Sequence, residues 1–461
     1  MQRLLAISGL TWKAAFRFKL FLVVAVLLLG SVVLLPILIK DDGTAQGFTQ
    51  ILLTYTLSVI TALLGFSTLW LSCGTLARDI EECQVQMVAV KPVARWQIWL
   101  GKWLGIVSLN AALLALSGIC VYGLLQWRAT RLPAAQQEVL HNEVLVARGS
   151  IKPGSVTADI EAETDRQLAE KLKQASDPSL DKKELRRLLR EQVKAQYQLV
   201  PPGAVRAWPI QLGLLKSLLE HRPLQLRIKF NAADKNPSGT FLGYWQVGVP
   251  GKTKIWQSEP MSLAPDTFHE FSVPPDLIDK DGLLLVSFSN QNNTTLLFPL
   301  DEGVEVLYRE GGFGLNFARG LGIVFCWMAL LAALGLAAAS FLSFPVAAFF
   351  SLGLLTMALC SGTLTTVVAE GTIMSYNPET GVSGSSAADV VVVPVFRVAL
   401  NIINLAKDFS PVDSLSTGRS ITWLQLARAF AQIVLLLGGI IGGAGIFLFS
   451  RRELAGAQST Q

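Results

Sequence analysis

Hydrophobic residues in this chain are gathered into long runs rather than spread at the period of a surface helix or a half-buried strand. Residues 20–39, LFLVVAVLLLGSVVLLPILI, contain no charge, and about 20 residues at roughly 1.5 Å rise cross a hydrocarbon core. Comparable runs occupy 51–71, 104–125, 321–341, 347–368 and 424–449, with Arg428 near the start of the last, at the interface. The pattern predicts an α-helical polytopic membrane protein with six transmembrane helices. The first run is longer than the 7–15 apolar residues of a signal peptide, and no A-x-A site follows it, so it is expected to stay as an anchor.

Between the third and fourth runs the pattern changes. The spacing in DPSLDKKELRRLLREQVKAQYQ predicts a helical region over 156–200. Asp181 and Glu184 stand at capping-box spacing, and Leu185, Leu188, Leu189, Val193 and Tyr197 share one face. Pro201, Pro202 and Gly203 end it. From Leu224 the period becomes two: Leu224, Leu226, Ile228 and Phe230 point one way, and Gln225, Arg227 and Lys229 the other. Further short segments at 241–249, 255–258, 270–273, 283–289, 295–298 and 304–308, separated by turns such as NPSG, VPGK and DKDG, predict a small jelly-roll-like β-sandwich over 222–310. The expected fold is thus a helical membrane part with a large extracytoplasmic α+β insertion, 128–316. Tyr244, Trp245 and Trp256 could offer sugar-stacking faces there, although aromatics on strands equally fill cores.

Composition agrees with the pattern. The chain is 51% hydrophobic and 16% charged, where a soluble domain carries about 25% charged residues. Segment 128–316 holds 23 Lys+Arg and 23 Asp+Glu, so the net charge of +5 resides near the membrane runs. That placement concerns insertion topology and gives no sign of a nucleic-acid partner. Arg3, Lys13, Arg17 and Lys19 precede the first run without an acid, and Arg451 and Arg452 follow the last, so both termini are expected on the cytoplasmic side of a bacterial inner membrane.

Catalytic patterns are missing. His141, His221 and His269 lie apart without motif context, and the five cysteines (Cys73, Cys83, Cys120, Cys326, Cys360) form no CxxC pair. There is no GxSxG, HExxH or paired-carboxylate signature. The GKT at 251–253 lacks the preceding glycine of a phosphate loop, since Gln246 stands five residues before Gly251, and it lies in a turn. No cofactor or metal is expected, and an energised function would borrow its energy from a partner.

One polar stretch interrupts the runs with a definite mixture: EECQVQMVAVKPVARWQIWLGK, residues 81–102. Pro92 lacks an N–H and disfavours helix at Lys91. Glu81 and Glu82 are expected near the start of a short helix, where the dipole favours acids. Arg95, Trp96, Trp99 and Lys102 suit the headgroup level, so an interfacial helix is expected after the kink at Pro92. Composition alone describes an ordinary positive-inside loop. The order, however, resembles the coupling region of ABC-2 type transporter permeases: the acids Glu81–Glu82, a helical stretch, Pro92–Val93–Ala94–Arg95 after Lys91, and Gly101–Lys102 opening the next span. LTWKAAFRFKLF at the start is similar to the family's amphipathic helix. DFSPVDSLSTGRSITWLQLARAF, followed by an apolar run and FSRRELA, is similar to its last external loop, span and tail.

That resemblance implies a permease subunit of an ATP-driven transporter, an exporter by family analogy. It implies a separate ABC ATP-binding subunit docked on Glu81, Glu82, Lys91, Pro92, Arg95, Gly101 and Lys102, and a second permease copy in a homo- or heterodimer. The implied organisation is a cytoplasmic amphipathic helix (1–19), helices 1–3 (20–127) with a coupling elbow (78–102), the insertion, helices 4–6 (317–450) with an external loop (370–420) carrying a short interfacial helix, and a cytoplasmic tail (451–461). Gly438, Gly439, Gly442 and Gly443 include two pairs four apart and suit close helix packing. The alternative is a membrane-anchored glycan-binding or sensor protein without transport.

Overall fold

The computed structural model describes residues 2–17, 19–38, 45–82, 93–133, 136–137, 140, 144–174, 182–219, 221–234, 239–300, 302–373, 386, 388–407 and 409–452. It divides into two compact units, Met1–Ala147 with Gly311–Gln461, and Arg148–Glu310. The helices in chain order begin with α1 (Gln2–Arg17), α2 (Lys19–Leu38), α3 (Ala45–Glu81), α4 (Arg95–Ala129), α5 (Thr157–Gln174), α6 (Lys182–Gln196) and the short α7 (Lys216–Leu219). They continue with α8 (Phe313–Ala339), α9 (Phe344–Leu359), α10 (Ser361–Glu370), α11 (Asp389–Lys407), α12 (Pro411–Ser416) and α13 (Trp423–Ala429). A π-helical segment, Phe430–Gly438, joins α13 to α14 (Gly439–Arg451).

Among the described residues, five helices are long and apolar enough to cross a membrane: Thr49–Glu81, Arg95–Ala129, Phe313–Ala339, Asp389–Ala406 and Trp423–Arg451. The pair α9 and α10 makes a sixth if its 66° bend is counted within one span. Within α2 the shorter apolar helix Val23–Leu35 is described. Centrality differs sharply among them: 61% of the most apolar window of α8 is buried inside the protein, against 11% for α11. Accordingly α8 packs on α3, α4, α9, α12 and the last helix.

Two expectations about the helical unit need correction. The span expected as one helix over 347–368 is broken at Cys360, where α9 ends and α10 starts. The polar start of helix 3 is no separate interfacial piece: α4 is one 35-residue helix from Arg95, about 52 Å at 1.5 Å per residue and well beyond a hydrocarbon core. The helix expected in the loop 370–420 is present as the 19-residue α11, and its end contacts the bundle. Trp327, midway along α8, donates its indole N–H to Ala406 O at 3.3 Å. From that level the chain returns to the start of α8. There Asn316 donates to Arg419 O (2.8 Å) and accepts from Ile421 N (2.7 Å), and Arg319 donates to Ile421 O.

The second unit is rich in β-structure. All seven expected segments carry a strand: β4 (Leu224–Ile228), β6 (Phe241–Val247), β7 (Trp256–Gln257), β9 (His269–Val273), β10 (Leu283–Ser289), β11 (Leu296–Leu297) and β12 (Val304–Gly312). Five more were not anticipated: β1 (Val146–Ile151), β2 (Leu199–Val200), β3 (Val205–Gln211), β5 (Asn231–Ala232) and β8 (Met261–Leu263). The sheets run β1-β12-β4-β9, β3-β10-β6-β7 with β8 beside β6, and β2-β11-β5. Leu226 and Val306 from the first and Trp245, Val286 and Phe288 from the second fill a common core, which makes the two larger sheets a sandwich. Pro209 is tolerated in β3 because that strand lies at a sheet edge. The helical region is a hairpin of α5 and α6. Arg186 bridges Glu161 and Asp165 across it (2.8 and 2.9 Å), and these acids raise the pKa of its guanidinium. Asp181, the expected cap, lies outside the described residues.

A candidate coupling site at one end of the helical unit

The residues singled out between 78 and 102 fall into two groups. Lys91 and Pro92 lie outside the described residues, as does the stretch 83–90. The others gather where several helix ends meet, and the ends of α8, α9 and α14 there each receive a side chain of the charge opposite to their dipole.

Glu81 was expected at the start of a short helix; it is instead the last residue of α3. A carboxylate is disfavoured at a helix C-terminus, but here it turns to the start of a different helix: Glu81 Oε1 accepts from Phe344 N, at the first turn of α9, at 2.9 Å. The acid thereby satisfies a backbone donor that has no partner within its own helix. In the last turn of α3, Arg78 supplies the positive charge that this C-terminus favours, and its guanidinium lies 4.5 Å from the Phe344 ring. Glu82 follows Glu81 and is exposed.

Lys102 is buried and donates to Thr75 O (2.8 Å) and Asp79 Oδ2 (2.5 Å), both on α3. Removing a lysine from water is costly unless its donors are met; here one carboxylate and one carbonyl accept from it. Asp79 was not anticipated. The signal lay in an acid near the end of one apolar run facing a lysine near the start of the next.

Arg95 opens α4 and reaches the far end of the chain. Its Nη1 donates to the carbonyl oxygens of Phe449 (3.2 Å), Ser450 (2.8 Å) and Arg452 (2.8 Å), closing the C-terminus of α14. Arg452 in turn donates to Ser340 O, at the C-terminus of α8, at 3.2 Å. Terminal carbonyls of both helices thus gain cationic donors.

Small residues bring the backbones close. A Cβ on Gly101 would lie 2.7 Å from Ile7, and one on Gly105 2.7 Å from Thr11, so α1 lies directly along the first turns of α4. Trp12 of α1 donates its indole N–H to Ser108 Oγ at 2.8 Å. The Gly101–Gly105 pair, four apart, is a signature of close helix packing that had been noticed only in the last run. In that run the four expected glycines differ. Gly442 meets Trp99 (3.1 Å from a Cβ), whereas Gly439 and Gly443 have nothing within 4 Å, and Gly438 meets only Ile433 O of its own helix. Gly445, not anticipated, abuts Ala337 at 2.9 Å. The close contact with other helices therefore runs through Gly442 and Gly445; Gly438, Gly439 and Gly443 do not share it.

Of the three aromatics expected on the sandwich, one is enclosed and two are half-buried. Trp245 is 1% exposed and packs among Trp208, Phe288 and Phe298, so it cannot stack on a ligand. Trp256 is half-buried and stacks on Phe271, and Tyr244 is half-buried. Lys252 of the GKT turn is paired with Asp279 (2.7 Å) and Asp281 (3.1 Å). His221 pairs with Asp276 at 2.9 Å, and His269 meets Ala264 O at 2.7 Å; His141 lies outside the described residues. Among the described residues no group of three or more His, Cys, Asp or Glu could hold a metal ion.

Comparison with protein-family models, with curated proteins and with solved structures finds no match.

Proposed function

We propose that this chain is the membrane subunit of an ABC-2 type ATP-driven transporter, an exporter of the inner membrane of a bacterium with both termini cytoplasmic. It would pair with a second permease copy, and a separate ATP-binding subunit would dock on the elbow between α3 and α4. One observation carries the reading. The ends of α3, α4, α8, α9 and α14 that flank or approach the elbow are joined by Glu81, Arg95, Lys102 and Arg452. A push delivered at the elbow would reach five helices at once, because side chains hold their ends together.

This changes the role assigned to the charged residues. Glu81, Arg95 and Lys102 would act as positioning residues, and the partner would dock next to them, beside the exposed Glu82. Gly101 belongs to the seam with α1. The alternative of a glycan sensor would rely on the half-buried Tyr244 and Trp256, since Trp245 is enclosed.

The test is affinity purification of the full chain from its native membranes. The reading expects an ATP-hydrolysing subunit with Walker motifs to co-purify. It also expects Glu81→Lys with Arg95→Glu to depress the ATP hydrolysis of the complex. Unchanged hydrolysis in that double variant, or purification without any ATPase, contradicts it.

A further inference from the structure

The β-rich unit has a cleft of its own, where the chain leaves α6, turns and enters β3. Pro201, Pro202 and Gly203 make the turn. Ala204 N donates to Pro201 O at 3.1 Å, and Gly203 takes φ +74°, as the third position of a type II turn requires. The fully buried Asn290 holds the turn from the other side. Its side chain donates to Val200 O (2.8 Å), its backbone N–H donates to Ala204 O (3.0 Å), and its carbonyl accepts from Gly203 N (2.7 Å). The cleft is therefore preformed. Its volume is about 370 Å³, room for roughly a dozen groups the size of a water molecule at about 30 Å³ each.

Leu199, Pro201 and Val205 give the cleft aliphatic walls, and Tyr197 adds a ring. Among the described residues that line it, Arg206 alone is charged. Arg206 stands opposite the core residue Phe288 and two positions before the core residue Trp208, on the inward side of β3. It is half-buried, and its guanidinium lies 5.3 Å from the Trp208 ring. Among the described residues that guanidinium has no hydrogen bond and no acid within ion-pair distance. Burial pushes its pKa down, with no acid nearby to raise it. A guanidinium stays charged all the same. Its partial removal from water is offset in part by the Trp208 ring, and an anion from outside the chain would complete the compensation.

The lining specifies the guest. One cation matches one negative charge, and a carboxylate presents two oxygens to the guanidinium fork. A phosphate monoester brings a charge of about −1.5 to −2 at neutral pH, more than a single arginine balances. The aliphatic walls and the Tyr197 ring ask for an apolar body, which a bare inorganic anion lacks. We propose that this cleft binds a small organic carboxylate, its head on Arg206 and its compact apolar body against Tyr197 and Leu199. The inference goes beyond the transporter reading and uses no part of the coupling role.

The test uses the full chain in lipid nanodiscs with three probes of one body: naphthoate, its uncharged isostere naphthamide, and naphthyl phosphate. Equilibrium dialysis against empty nanodiscs measures affinity, and hydrogen exchange locates the site. The expected result is saturable naphthoate binding that slows exchange at residues 196–206. Naphthoate should bind about tenfold more tightly than naphthamide, the scale of one charge-assisted hydrogen bond at a half-exposed site. Arg206→Gln lowers naphthoate to the naphthamide level and leaves naphthamide unchanged, and Arg206→Lys keeps part of the difference because it retains charge without the fork. Excess inorganic phosphate does not compete. Absence of saturable binding, protection elsewhere in the chain, equal affinity for naphthoate and naphthamide, tighter binding of naphthyl phosphate, displacement by inorganic phosphate, or unchanged affinity in Arg206→Gln would each overturn the proposal. The wild-type exchange map stands even if a variant fails to fold, and no outcome depends on whether an ATPase binds the elbow.

Discussion

The two units of this protein bury charge by opposite strategies. In the helical unit the buried cation Lys102 is met by one acid and one carbonyl, and neighbouring charges sit at helix ends where backbone dipoles share the work. In the β-rich unit four charges form a balanced lattice across neighbouring strands. Arg148 pairs with Glu270 at 2.7 Å and bonds Gln225. Arg227 faces Glu305 at 3.4 Å and Glu270 at 3.7 Å. Ser150 donates to Glu305 at 2.7 Å. Glu305 is fully buried, and Arg227 is 3% exposed. Helix ends tolerate a single ion because the backbone is itself a partner; a strand has no such end charge, so its ions must compensate one another. The lesson is about adaptability. A charge matched to a helix end can be re-matched when helices move, whereas a closed lattice fixes strand register.

Breaking the lattice should therefore cost most. Glu305→Ala leaves Arg227 without its closest acid and should destabilise the β-rich unit by about 3–5 kcal/mol. Chemical unfolding of the full chain in detergent, followed by the fluorescence of tryptophans such as Trp208 and Trp245, measures it. Replacing the pair, Arg227→Met with Glu305→Leu, should come within about 1 kcal/mol of wild type or exceed it. If the single and double variants fall equally, the lattice is not a unit and the contrast fails.

Next in size is the helical ion pair. Asp79→Asn keeps an acceptor for Lys102 and removes its counter-charge; the expected loss is about 1.5–3 kcal/mol, lower than for Glu305 because the Asp79 side chain is 33% exposed. Thermal unfolding in detergent, with hydrogen exchange read at residues 75–82, would show it. A loss as large as that of Glu305→Ala would contradict the idea that helix ends share the burden.

The smallest effect concerns pH. Hydrogen bonding to Lys252 lowers the pKa of Asp279, and hydrogen bonds from Asp279 and Asp281 raise that of Lys252. For the acid, the folded value lies below the unfolded one, so its contribution is complete above the ordinary carboxylate range and is lost as pH falls through the lowered value. For the lysine the order reverses: its contribution is complete below the ordinary lysine range and is lost as pH rises through the raised value. Hydrogen-exchange protection at residues 249–253, corrected for the intrinsic pH dependence of exchange, should be highest between those ranges and fall on both sides. A flat profile would contradict the pairing.

Much of the architecture was legible because membrane runs and strand alternation are long-range signals carried by many residues. What escaped depended on single contacts or on continuity. Glu81 was misplaced because α3 continues past its apolar run into polar residues, and hydropathy does not mark where hydrogen bonding stops. The break at Cys360 lies within an apolar stretch, where a 66° bend leaves no trace in composition. Arg227 and Gln225 read as an outward face; alternation separates the two faces of a strand, yet it does not tell whether the second is covered. Trp245 illustrates the same limit from the other side. The Lys102–Asp79 pair and the Gly101–Gly105 seam needed the partner helix to be known.

The central proposal is that a separate ATP-hydrolysing subunit docks beyond Glu82. The most direct measurement replaces Glu82 by a photoreactive phenylalanine in the full chain and irradiates intact cells. The account predicts one dominant adduct, to a protein carrying Walker motifs, formed from the cytoplasmic side. No adduct to any such protein, or labelling of position 82 by a membrane-impermeant reagent added outside, would contradict it.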